Sequence, residues 1–214
     1  LGSFELADGV VFMKPTPPTE LRLGDSLVSK QQPILPDTSG APDYIFVDSI
    51  RIGVIERAGQ FAIRVWDPQN PVRLNFAGCT WFDPKPKWRN QARIETYNEP
   101  KTILIDDIVG IQRPVEMHGA LAFEVDEVTH RLDAERLEDN SFNIIFKDKT
   151  AGITTYSAGR YLITEIAEGD HVMIDFNVAY NPPCAFTAFA TCPLPPPQNV
   201  LPIAIEAGEK LETR

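Results

Sequence analysis

The chain has 214 residues, of which 43% are hydrophobic, and a formal net charge of −10. That length and apolar fraction supply a buried core and suit one large domain or two small ones. The acidity speaks against nucleic-acid binding, which needs a basic face, and no apolar run approaches the ~20 residues of a membrane span.

The first residues, Leu1-Gly-Ser-Phe-Glu-Leu-Ala-Asp-Gly9, have neither the basic start nor the apolar stretch of a signal peptide. They read as the middle of a β-hairpin, so further residues are expected upstream of Leu1. With no export signal in view, a cytoplasmic location is expected.

Strand signals then continue throughout. Short runs rich in Val, Ile, Phe and Tyr, bounded by Gly, Asp, Asn and Pro, predict strands at 3–6, 10–14, 43–56, 60–66, 90–97, 101–106, 119–125, 128–136, 141–147, 153–166, 171–178 and 202–206. Ala7-Asp8-Gly9, Ala58-Gly59 and Asp126-Glu127 read as hairpin turns. Turn formers cluster at Asp67-Pro-Gln-Asn-Pro71, which predicts an N-terminal β-unit over 1–70 and a larger barrel-like unit over 71–214. The expected fold is all-β: an antiparallel sandwich or barrel, two β-units sharing a core, with little helix.

The densest segment runs from Asp175 to Asn199. Prolines stiffen it, and between them lie two cysteines, a tyrosine and several asparagines. His171–Val178 alternates, with Val172, Ile174, Phe176 and Val178 on the core face and His171, Met173, Asp175 and Asn177 on the other. A tight turn at Glu168-Gly169-Asp170 predicts a hairpin with Thr155–Thr164, in which Leu162 faces Asp175 and Arg160 faces Asn177. Arg160 and Asp175 then lie diagonally on one face, roughly 7–8 Å apart, within reach of an arginine fork. Tyr156, Tyr180 and Asn181 fall toward the same end, and Asn181-Pro182-Pro183-Cys184 forms a rigid elbow.

This convergence predicts one polar pocket. Arg160, Tyr156, Asn177, Tyr180 and Asn181 are its candidate ligand-binding residues, and Trp81 in the aromatic loop Phe76–Pro84 is a candidate wall. Asp175 as general base and Cys184 as nucleophile are the candidate catalytic groups. A capped, purely structural loop accounts for the same residues equally well.

Other chemistry finds little support. Cys79 stands alone, and Cys184 and Cys192 are spaced C-x7-C, which matches no common zinc pattern. Buried thiols are the expected state, with a local disulfide as the alternative. His118, His130 and His171 are too scattered to suggest a metal site. Phosphate-loop and dinucleotide glycine patterns are missing, so no cofactor is expected.

Thr155–Leu162, Asp175–Thr187, Ala190–Asn199 and Leu201–Lys210 together resemble domain-of-unknown-function family 1684, a bacterial and archaeal group. The resemblance continues more loosely through Trp81-Phe82, Tyr97 and Gly119–Phe123. It implies no activity and no catalytic residues. The part upstream of residue 70 resembles a forkhead-associated sandwich, but the Arg and Ser with which that fold reads phosphothreonine have no counterpart here.

The sequence thus favours a protein that binds a small anionic molecule. One alternative is an enzyme of hydrolase type at the same site. The other is an interaction module without a pocket, its Pro193–Pro197 run docking a partner as polyproline.

Overall fold

The computed structural model describes residues 1–211, and the chain divides between Ala77 and Gly78 into two compact units. Both are built from antiparallel sheet, so the protein is all-β. Each unit has its own cluster of buried apolar side chains.

Unit 1 contains β1 (Gly2–Ala7), β2 (Val10–Pro15), β3 (Arg22–Leu23), β4 (Ser26–Leu27), β5 (Gln32–Ile34), β6 (Tyr44–Val47), β7 (Ile50–Arg57) and β8 (Gln60–Trp66). They form a three-stranded sheet, β1-β2-β5, and a five-stranded sheet, β4-β3-β6-β7-β8. Asp8-Gly9 and Ala58-Gly59 both have positive φ at each residue, the mirror-image turn whose twist suits a two-residue hairpin. The expected run 43–56 is broken at Asp48, φ +48°, into β6 and β7. Met13, Leu21, Ile34, Ile45, Ile52 and Val54 are buried in its core.

Unit 2 contains β9 (Arg89–Asp106), β10 (Gln112–Val125), β11 (Val128–Arg136), β12 (Phe142–Phe146), β13 (Arg160–Ile163) and β14 (His171–Asp175) in one sheet, ordered β13-β12-β11-β10-β9-β14. The two edge strands are consecutive in sequence. Glu165 N donates to Met173 O at 3.3 Å, so the sheet curls until its edges meet as a half-barrel. Inside it, Phe176 packs against Phe123 and Phe146 at 5.3 Å and Trp88 at 6.4 Å between ring centroids.

The predicted 155–164/171–178 hairpin does not form. β13 pairs with β12 (Arg160 opposite Phe146), and β14 pairs with β9 (Asp175 opposite Arg89). Alternation identifies a strand's faces but not its partner, and both pairings keep Val172, Ile174 and Leu162 buried. β14 also stops at Asp175, because that carboxylate accepts Asn177 N at 2.9 Å and turns the chain into a short 3-10 segment. Val178 is therefore exposed rather than core.

The expected strand at 202–206 is an extended strap without a ladder. Ile203 O accepts Lys149 N at 2.9 Å, and side chains take the next groups: Ile205 N donates to Asp148 Oδ1 at 3.2 Å, and the Ile205 and Ala207 carbonyls accept from Arg160. Upstream, Asn199 Nδ2 donates to Asp133 O and Ile145 O, both at 2.9 Å, and Asn199 Oδ1 accepts from Asp133 N. Gly208, φ +75°, passes so close to Ala179 O that a Cβ would sit 2.5 Å from it, so only glycine fits.

Phe176→Ala should destabilise unit 2 by about 3–5 kcal/mol, as expected for emptying an aromatic site in a packed core. Phe189→Ala, at a ring 89% exposed, should stay within about 0.5 kcal/mol. Urea unfolding of the two variants beside the wild type checks the contrast.

Candidate functional site

The structure distributes the sequence-predicted site over three places. The first is a buried ion pair. Arg160, 1% exposed, stands on β13 with Nη2 2.8 Å from Asp148 Oδ2. The same Nη2 donates to Ile205 O at 3.1 Å, Nη1 donates to Ala207 O, and the guanidinium lies 5.2 Å from the Phe146 ring centre. Burial pulls the guanidinium pKa down, and Asp148 opposes that. Arg160 thus serves the fold and does not meet Asp175. Its partner was overlooked because Asp148 lies in the turn after β12, where an aspartate reads as solvated.

Asp148 is itself over-committed. Its Oδ1 accepts Thr150 N at 2.8 Å and Thr150 Oγ1 at 2.6 Å, besides Ile205 N. Two charges removed from water become tolerable when hydrogen bonds satisfy each other lone pair and N–H.

The second place is the end of β14. Asp175 Oδ1 holds Asn177 N and Nδ2, and Asn177 exchanges hydrogen bonds with the Lys85 backbone at 3.0 and 3.1 Å. Both predicted residues therefore staple the 85–88 loop to the barrel. Asp175 Oδ2 lies 3.9 Å from Arg89 Nε. Trp81, 45% exposed, forms a β-bridge with Glu209.

The third place gathers Tyr156, Tyr180, Asn181 and Cys184 with Tyr161 and Cys192. Tyr156 Oη donates to Cys184 O at 2.9 Å, and Tyr161 Oη donates to Pro193 O at 2.8 Å. Tyr161 and Tyr180 bond across an isolated bridge and stack edge to face at 6.0 Å. Cys184 N donates to Cys192 Sγ at 3.2 Å. Asn181 N donates to Glu209 Oε2 at 2.7 Å and Asn181 Nδ2 to Lys210 O at 2.9 Å. The rigid elbow thus assembles half of the predicted set through these contacts.

A separate cleft opens where β10 leaves β11. β10 pairs with β11 only from Gly119 to Val125, and the last two residues of β11 pair with β12 instead. On the other side, four residues of β9 (97–100) oppose the single residue His118 between the pairs Thr96–Gly119 and Lys101–Met117. Such a bulge bends a strand and re-aims side chains. Gly119 permits it: a Cβ there would lie 2.8 Å from Glu95 O.

The cleft is an open groove of about 400 Å³ lined by Arg113, Pro114, Val115, Glu116, His118, Glu135 and Arg136. Arg113 Nε and His118 Nδ1 are buried without a hydrogen-bond partner. Glu135 Oε2 is occupied by Asn143 Nδ2 at 3.1 Å, and Arg136 Nε by Asn140 Oδ1 at 2.7 Å. Sequence reasoning passed over this site because Arg113 and His118 look like surface residues of an unremarkable strand. The register slip between Met117 and Gly119 leaves no signature in residue type.

Among the described residues, no three His, Cys, Asp or Glu side chains gather as a metal-ligand set, and no helix is long and apolar enough to cross a membrane.

Fold and contacts define an all-β protein whose larger unit is a curled six-stranded sheet sealed by a polar-anchored tail. It belongs to the family described as "Protein of unknown function (DUF1684)", whose model matches residues 74–210. A similar solved structure is the solution NMR structure of an uncharacterised protein from Haloarcula marismortui. It shares 31% identity with a TM-score of 0.54, over 67% of this chain and 82% of that one. None of the curated proteins matches the chain.

Asp148→Ala should cost about 3–5 kcal/mol, because it strands a buried guanidinium. Adding Arg160→Met should recover part of that loss, since no charge is then left unpaired; chemical denaturation of the single and double variants checks the sign. The phenols give a pH test. Burial, then donation to Asp133, pushes Tyr97 up to about 12, and burial also raises Tyr161 and Tyr180. The unfolded chain gives up these protons first, near pH ~10. Their contribution is therefore complete below pH ~10 and is lost as pH rises toward 12. Absorbance titration should show late-ionising tyrosines, and Tyr97→Phe should remove the step near 12.

Proposed function

We propose that unit 2 binds a small molecule carrying a single carboxylate or phosphate, in the cleft between β10 and β11. The observation that carries this reading is the pair of unpartnered, buried nitrogen atoms, Arg113 Nε and His118 Nδ1, in one cleft. A buried donor left without an acceptor costs about 1–3 kcal/mol. An anionic ligand toward which the Arg113 side chain turns would remove that cost, and the Arg113 fork is suited to a planar or tetrahedral oxyanion. Arg136 adds positive charge at the rim. Glu116 and Glu135, also lining the cleft, limit the guest: they repel a polyanion and favour one negative group. The volume fits a metabolite-sized molecule. The anionic ligand expected from sequence is retained, with its anchor moved from Arg160 to Arg113.

Thermal-shift measurements with acetate, benzoate, succinate, phosphate and pyrophosphate test this. A monoanion present at 100 times its dissociation constant should raise the melting temperature by about 5–10 °C. Arg113→Gln should abolish the shift, and Arg93→Gln, at an exposed arginine bonded to Glu95, should keep it. The proposal fails if none of the panel stabilises the protein, or if the stabilisation survives Arg113→Gln.

A further inference from the structure

We propose that Cys184 and Cys192 form a reversible disulfide, making the elbow a site of thiol modification by low-molecular-weight disulfides. This stands apart from ligand binding in the cleft and rests on different residues.

The geometry is that of a prepared pair. Cys192 Sγ accepts the Cys184 backbone N–H at 3.2 Å, and the two thiols are hydrogen-bonding neighbours. Closing the pair brings the two sulfurs to the ~2.05 Å of an S–S bond. Prolines hold both ends: Pro182-Pro183 precede Cys184 and Pro193 follows Cys192, fixing φ at those positions. Both segments are also anchored. Asn181 is bonded to Glu209 and Lys210. Cys192 O accepts Ile108 N at 2.9 Å, and Leu194 N donates to Asp106 O at 2.8 Å. The intervening residues Thr187, Ala188 and Phe189 all face solvent.

The two thiols differ in access, which assigns their roles. Cys184 is half-buried and Cys192 is buried. Burial pushes the Cys192 thiol up to about 11, so little of it is thiolate near neutrality, and the more accessible Cys184 makes the first attack. Cys184 attacks one sulfur of the small disulfide. A mixed disulfide forms, and one small thiol leaves with the proton that Cys184 gave up. Cys192 then attacks Cys184 Sγ, assisted by the Cys184 N–H that already points at its sulfur. The protein disulfide closes, and the second small thiol leaves with the proton of Cys192. Two protein thiols are oxidised, one small disulfide is reduced to two thiols, and no other reactant is needed. A thiol reductant in excess reverses both steps.

The test uses the full chain under native conditions with oxidised glutathione, followed by alkylation, digestion without reduction and mass spectrometry. The expected product is a peptide linking Cys184 to Cys192 that dithiothreitol separates, with exposed Cys79 found alkylated or glutathionylated. In Cys192→Ser, glutathione should remain trapped on Cys184 as a mixed disulfide. The proposal is overturned if the wild type accumulates a lasting glutathione adduct on Cys184 with Cys192 still a thiol. It is equally overturned if neither cysteine reacts, or if the only cross-link involves Cys79. Should Cys192→Ser fail to fold, the wild-type peptide map decides alone.

Discussion

A guanidinium sealed in the barrel beside the buried carboxylate of Asp148 is the constraint on which unit 2 depends. Arg160 is among its largest fully buried side chains, and its removal from water is tolerable only because Asp148 and two carbonyls surround it. Those carbonyls belong to the C-terminal strap, beyond its short pairing with Lys147 and Lys149. The arginine thus does for the strap what a ladder does for a strand: it satisfies the backbone while Ile205 and Ala207 stay fully buried. Asn199 repeats the device at the other end of the strap with its side-chain amide. A lysine could not substitute for Arg160, because a compact ammonium lacks the planar fork that spans Asp148, Ile205 and Ala207 together.

The curl of the sheet produces the cleft. Because β13 and β14 are joined by a short connection yet lie at opposite edges, the sheet closes toward itself rather than running flat. β9 and β10 are the longest strands and cannot follow that curvature along their whole length. The four-against-one bulge opposite His118 relieves the mismatch, and Pro100 within it has no N–H to waste. Beyond the bulge β10 follows β9 away from β11, and the space left between them is lined by charged side chains because it faces water at its mouth.

What was legible in the sequence follows the physics of pattern. Period-two alternation exposed the strands and the buried face of β14 at Val172, Ile174 and Phe176. Positive-φ turn chemistry exposed the hairpins at Asp8-Gly9, Ala58-Gly59 and Asp126-Glu127. Partner choice was not legible, since alternation is equally satisfied by pairing β14 with β13 or with β9. Buried charge was not legible either: Arg160 and Asp148 carry the residue types of a surface, and only the fold brings them to 2.8 Å. The end of β14 was not legible for a local reason: an aspartate two residues before an available N–H can close a turn on it, as Asp175 does with Asn177 N. The elbow was legible as a place, since its proline density announces rigidity, but its contacts with Tyr161 and Cys192 are set by tertiary packing.

Proline placement explains how so irregular a segment stays ordered. From Asn181 to Asn199 each residue that must donate a backbone hydrogen bond retains its N–H: Asn181 to Glu209, Cys184 to Cys192, Leu194 to Asp106 and Asn199 to Pro196. The prolines occupy positions from which only a carbonyl is required. Pro182, Pro183 and Pro196 accept from Ala185, Phe186 and Asn199, and Pro193 accepts from Tyr161. The missing donors thus cost nothing in the folded state, while fixed φ angles lower the entropy lost on ordering the chain. A loop built in this way, with only short 3-10 turns at Pro183–Ala185 and Pro197–Asn199, can hold its two thiols in register.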